Sequence, residues 1–176
     1  MLQKTELSTL IIVDIQHKLM PKIVHGQQVV NEATRLGRIA KILGVPIIGT
    51  EQNPEGLGEN ISEIKSLCDK TFIKHHFDGC EDGLSSLIPP DRKDVIVAGC
   101  EAHVCVLQTC FGLLSKGYGV SLAMDAIGSR TEENKDAAIA RLKDAGVKMT
   151  TVEMIAFEWL RTSKHQHFRQ ILDQVR

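Results

Sequence analysis

The chain has 176 residues, 43% of them hydrophobic and 24% charged, with a formal net charge of −1. That length suits one domain with a substantial core, here residues 1–176, and two comfortable domains would need more chain. Lys and Arg are scattered rather than clustered, so nothing in the composition recruits nucleic acid or an anionic membrane.

Met1 to Glu6 is polar and reads without signal-peptide character, and no apolar run approaches the roughly 20 residues that span a bilayer. The five cysteines are Cys68, Cys80, Cys100, Cys105 and Cys110. Their odd number and the lack of a CxxC pair suggest free thiols in a reducing compartment. The cytosol is the default expectation, with an organellar matrix as the alternative.

Leu10 to Val13 is short, continuous and β-branched, as expected of a strand buried on both faces. Helical spacing of Val29, Leu36, Ile39 and Leu43 predicts a helix over 28–43, stopped by Gly44. Pro46 to Thr50 reads as a second strand, Asn53 to Gly58 as a loop, and Ile61 to Leu67 as a helix. Thr71 to Lys74 is a short third strand. A small helix over 81–87 stops at Pro89-Pro90. Asp94 to Ala98 is the fourth strand, followed closely by a helix over 104–114, and Gly119 to Met124 is the fifth. Thr131 caps a helix with Glu132 and Glu133 in its first turn, suited to the positive end of the helix dipole. Gly146 ends that helix before a sixth strand, Val147 to Thr150. Thr150 and Glu153 have capping-box spacing for a helix burying Val152, Ile155 and Trp159. A last helix covers 165–175.

This alternation predicts an α/β fold of three layers, α/β/α, around a six-stranded, mainly parallel sheet. In such folds ligands bind outside the carboxyl ends of the strands, where strand order reverses. If the order is 3-2-1-4-5-6, Asp14 after strand one faces Cys105, which opens the helix after strand four. Lys74 ends strand three. A thiol of pKa about 8.5 is a weak nucleophile near neutrality. A helix N-terminus and a nearby ammonium would both favour its thiolate. Asp14 could take the thiol proton and return it to a leaving group. The turn Gly99 to Ala102 would leave N–H groups for an oxyanion. Each residue also has a plain reading: a core cysteine, a loop-capping aspartate, an exposed lysine.

Taken together, Ile12-Val13-Asp14-Ile15-Gln16, Phe72-Ile73-Lys74 with Phe77, and Val97 to Val106 resemble the isochorismatase-like cysteine hydrolases along nearly the whole chain. Gly117-Tyr118, Asp125-Ala126 and Ser129-Arg130 fit the same pattern. Thr50-Glu51-Gln52, Glu101 and His103 look most like the metal-free, isochorismatase-domain-containing branch. The resemblance implies a triad in which Cys105 attacks, Asp14 shuttles the proton and Lys74 stabilises the thiolate. It also implies a cis peptide between Cys100 and Glu101, with the N–H groups of Glu101 and Cys105 forming the oxyanion hole. Gln16, Phe77, Glu101 and His103 are candidate pocket residues.

Where nicotinamidases of this family carry metal-binding Asp and His, this chain reads Thr50-Glu51-Gln52-Asn53-Pro54. No metal and no cofactor are therefore expected. The expected partners are a small-molecule substrate, an amide or related C–N compound, and further copies of the chain in a dimer or larger homo-oligomer. Neither membrane nor nucleic acid is an expected partner. The alternatives are a non-catalytic interaction protein that keeps the fold and, ranked lower, a nucleic-acid-processing protein.

Overall fold

A computed structural model describes residues 1–175. Its centre is a six-stranded sheet of order β3-β2-β1-β4-β5-β6. The strands are β1 Ser8–Val13, β2 Ile47–Gln52, β3 Lys70–Lys74, β4 Asp94–Cys100, β5 Gly119–Gly128 and β6 Lys148–Thr150. Every pairing is parallel. The strand order reverses between β1 and β4, so their carboxyl ends flank the central cleft.

β1 shows why its sequence is apolar without a break. Side chains alternate across a strand. Leu10 and Ile12 therefore enter one core and Ile11 and Val13 the other. The first core is covered by α1 Gly26–Ile42, α6 Val152–Leu160 and α7 Phe168–Val175. The second is covered by α4 Leu107–Ser115 and α5 Glu132–Asp144. Two single turns, α2 Pro54–Leu57 and α3 Ser62–Lys65, carry the chain from β2 to β3.

Several boundaries differ from those the sequence predicts. α2 lies within the expected loop over 53–58, because Pro54 fixes a helical φ at its first position. The helix expected over 61–67 shrinks to the single turn of α3, and that over 81–87 to a 3₁₀ turn, Leu84–Leu87. β5 continues beyond Met124, past a register shift opposite Val97 and Gly99, to pair Gly128 with Cys100. The cap of α6 is Thr151, not Thr150: its hydroxyl accepts from the Met154 N–H at 3.2 Å, while Thr150 is the buried last residue of β6. No helix among the described residues is long and apolar enough to cross a membrane.

Candidate active site

Asp14 follows β1 directly, and its main chain is left-handed, with φ of 49°. Aspartate tolerates that region better than most residues. The Gln16 N–H donates to the Asp14 carbonyl at 2.9 Å, closing the turn. Asp14 is wholly buried. Its Oδ1 accepts from Thr50 Oγ1 at 2.6 Å, and its Oδ2 lies 2.8 Å from Lys74 Nζ. The ammonium approaches outside hydrogen-bonding geometry, so Oδ2 keeps a lone pair without a hydrogen-bond partner.

Lys74 is the last residue of β3, paired in register with Gln52 at the end of β2. Its side chain is fully buried, a rare state for lysine unless it is paired. Here the partners are the Asp14 carboxylate and Gln52 Oε1, the latter at 2.6 Å. The Cys105 sulfur lies 3.9 Å from that same Gln52 oxygen. Asp14, Lys74 and Cys105 thus meet over the cleft, brought there from the turn after β1, the end of β3 and the turn between β4 and α4.

Cys105 does not begin a regular α-helix. Residues Ala102–Val106 form a π-turn that runs into α4. The turn follows Gly99, whose φ is +114° and where an added Cβ would fall 2.0 Å from the Val13 carbonyl oxygen. Only glycine lets β4 approach β1 so closely before the chain swings toward the thiol. The Cys100–Glu101 peptide is cis.

The thiol is not poised as a thiolate in this state. Burial, followed by the Asp14 charge, pushes Cys105 up to about 12, while Lys74 pulls the other way. Lys74 therefore acts in the direction expected from the sequence but is outweighed by desolvation. Cys80 is likewise pushed up by burial to about 12, and Cys68 to about 11. Cys80 and Cys68 also feel a carboxylate and a lysine, Asp78 with Lys116 and Asp69 with Lys41; what separates Cys105 is that its own pair, Asp14 and Lys74, is wholly buried.

The pocket candidates divide. Gln16 is wholly buried; its amide bridges the Gln52 main chain, with Nε2 donating to the carbonyl at 3.0 Å and Oε1 accepting from the N–H at 2.8 Å. It supports β2 and presents nothing to a ligand. Phe77, 50% exposed, lies on the loop after Lys74, tied down where Thr109 Oγ1 donates to its carbonyl at 3.3 Å. Glu101 faces Arg130, whose Nε donates to Oε2 at 2.9 Å. His103 Nδ1 pairs with Ser129 Oγ at 3.0 Å. Cys105 itself is only 6% exposed, so access to the sulfur is narrow.

Thr50 and Gln52 were not singled out by role from the sequence. Both project from the end of β2 beside β1, a position that the predicted strand order makes chemically important. Among the described residues, no group of three or more His, Cys, Asp or Glu is placed to hold a metal ion.

An isochorismatase domain model matches residues 8–154. Isochorismatase domain-containing protein 2 of Rattus norvegicus is 34% identical over 175 residues, spanning 94% of this chain and 80% of the relative. A solved structure of MAR1 ribonuclease from Caenorhabditis elegans is 31% identical with a TM-score of 0.90, covering 99% of this chain and 92% of that one. The YcaC gene product of Escherichia coli, described as an octameric hydrolase of unknown specificity, shares the fold at a TM-score of 0.85 and 21% identity, over 99% and 96% of the two chains. With the strand order, the family match and relatives spanning most of their own length in agreement, the chain belongs to the isochorismatase-like hydrolase family.

Proposed function

We propose that the protein hydrolyses a small amide or related C–N compound through a covalent acyl-enzyme on Cys105. The observation that carries this reading is the convergence of the Cys105 sulfur, the buried Asp14–Lys74 pair and the Gln52 amide at the carboxyl ends of β1, β2 and β3.

Because the resting thiol is protonated, attack is coupled to proton transfer rather than preceded by it. Asp14 Oδ2 has a free lone pair and takes the S–H proton as sulfur bonds to the substrate carbonyl carbon. The carbonyl π electrons move to oxygen. The N–H groups of Glu101 and Cys105 stabilise that oxyanion; among the described residues the Glu101 N–H donates to no main-chain carbonyl, which leaves it available. Collapse breaks the C–N bond, and Asp14 returns its proton to the departing nitrogen. Water then attacks the thioester, Asp14 takes one of its protons, and the acid leaves as sulfur regains a proton. Lys74 stabilises negative charge on sulfur as it enters and leaves.

The test is turnover of a panel of amides, ureas and carbamoylated amines by the parent and by Cys105→Ala, with intact-protein mass spectrometry after a quench. Expected are turnover in the parent, an acyl mass increment that maps to Cys105, and loss of both in the variant. No turnover and no increment across the panel would favour a non-catalytic protein that keeps the fold.

A second reading is supported by one observation, the ribonuclease description of the C. elegans neighbour. Against it stand a net charge of −1 and a chain with one Trp, one Tyr and five Phe, poor in basic and stacking surface. Steeply salt-dependent RNA binding, or RNA cleavage lost in Cys105→Ala, would favour that reading instead.

The protein also acts on this reading as a homo-oligomer. Met154 and Phe157 on α6 are 49% and 40% exposed, an apolar pair suited to contact with another copy. Sedimentation of a single monomer species at micromolar concentration would sink that part alone.

A further inference from the structure

Gln52 ties the site together more closely than its sequence position suggests. Its Nε2 donates to the His75 carbonyl at 2.7 Å while its Oε1 accepts from Lys74 Nζ at 2.6 Å. The reverse amide orientation would aim an NH₂ at the ammonium and an oxygen at the carbonyl, so its neighbours fix which atom faces Lys74. The main chain is fixed as well. Gln16 binds both the N–H and the carbonyl of Gln52, and the Asn53 N–H donates to the Lys74 carbonyl at 3.1 Å. The one atom this framework presents to the cleft is Oε1, which also lies 3.9 Å from the Cys105 sulfur.

We propose that Gln52 is a positioning residue whose side-chain oxygen holds the Lys74 ammonium and so sets how much of that charge reaches the Cys105 sulfur. The inference rests on the cysteine-hydrolase reading above. In the resting enzyme the ammonium is shared between two oxygens, Asp14 Oδ2 and Gln52 Oε1, and the sulfur competes with both. Charge that develops on sulfur draws the ammonium away from Gln52, and the amide oxygen recovers it when that charge is gone. Gln52 thereby keeps a fully buried lysine in place without adding a second carboxylate, which would neutralise the ammonium and repel the thiolate.

The test compares two substitutions of similar length that both lose the donor to His75. Gln52→Glu places negative charge beside the sulfur; Gln52→Met removes the acceptor and leaves the ammonium to Asp14 and Cys105. Alkylation of Cys105 by iodoacetamide is followed by peptide mass spectrometry from pH 6.5 to 10, with Cys68 as internal reference. Below the thiol pKa the rate follows the thiolate fraction, so a one-unit shift is tenfold at fixed pH. Gln52→Glu is expected to slow Cys105 alkylation at least tenfold, and Gln52→Met to speed it several-fold.

A residue with only a structural role would change the melting temperature and leave both rates within twofold of the parent. That result overturns the proposal, as does equal slowing by both variants. If Gln52→Met does not fold, Gln52→Asn, which withdraws the oxygen by one methylene, replaces it with the same expected direction. A parent that forms no acyl adduct at Cys105 sinks the hydrolase reading, while the order of alkylation rates still decides the role of Gln52.

Discussion

Lys74 Nζ lies 2.8 Å from Asp14 Oδ2, and neither side chain is exposed to solvent. Such a pair is costly to form and costlier to halve, because removing one partner leaves the other charge buried and uncompensated. Lys74→Met should therefore destabilise the fold by about 3–5 kcal/mol, with Asp14→Asn causing a loss of similar direction. The double variant, which buries no net charge, should be more stable than either single one. Urea unfolding of the four proteins checks this. Strictly additive losses would mean that the two side chains do not interact.

The topology was legible in the sequence, and with it the positions of Asp14 and Lys74 along the sheet. β1 and β4 are continuous apolar runs, and their lengths separate them from the helices. Once the strand order is taken as 3-2-1-4-5-6, Asp14 and Lys74 fall at the ends of strands one and three and Cys105 a few residues beyond strand four, while their grouping as a triad came from the family resemblance. Gln52 was not legible as part of the site. The sequence pattern ends β2 at Thr50 and starts the loop at Asn53, which leaves Glu51 and Gln52 assigned to neither. In the fold, pairing with β3 extends the strand, Glu51 against Ile73 and Gln52 against Lys74. That is a tertiary effect which no local period reports. The protonated resting state of Cys105 was hidden for a related reason. Sequence names the charged neighbours, but the desolvation that outweighs Lys74 depends on how closely the cleft is packed.

Gly99 is the glycine whose replacement should be most damaging. Its φ of +114° disfavours any side chain, and the clash is with the β1 backbone, which cannot swing aside. Gly99→Ala should cost more than about 3 kcal/mol or abolish soluble expression, as expected where backbone strain and steric overlap combine. Gly146→Ala is the control: φ is +90° but nothing lies within 4 Å of the added Cβ, so its loss should be near 1 kcal/mol. Equal stability of the two variants by urea unfolding would contradict the close approach of β1 and β4.

Alkaline pH should loosen the fold through its thiols. Cys68, Cys80 and Cys105 are raised by burial from 9.0 to between about 11 and about 12, and Cys100 and Cys110 are raised further. A group whose folded pKa is raised stabilises the folded state below its unfolded pKa and loses that contribution as pH climbs toward the folded value. Stability should therefore fall above pH 9, with each fully buried thiol contributing up to about 1.4 kcal/mol per pH unit. A Cys100→Ala, Cys110→Ala variant should show a shallower decline between pH 9 and 10.5 in urea unfolding. An identical slope would assign the decline to other groups.

The loop after Lys74 should have a pH window of its own. Asp82 accepts from the backbone N–H groups of His75 at 2.7 Å and His76 at 2.9 Å, and from His76 Nδ1 at 2.7 Å. The His76 side chain, first among these, holds the Asp82 carboxyl down at about 2, while Asp82 raises His76 above its ordinary 6.5. The Asp82 contribution is present above its unfolded value of 3.8 and disappears as pH falls toward 2; that of His76 is complete below 6.5 and fades as pH rises through its folded value. The latch is therefore tightest between about pH 4 and pH 6.5. Because both groups face solvent, the effect should appear locally, in amide exchange of His75 and His76 measured by NMR and corrected for intrinsic rates. Protection should be highest within that window, weaken at pH 8, and vanish at every pH in Asp82→Ala, which removes the acceptor. Protection that continues to rise from pH 6.5 to 8 would mean that the His76–Asp82 pair does not hold this loop.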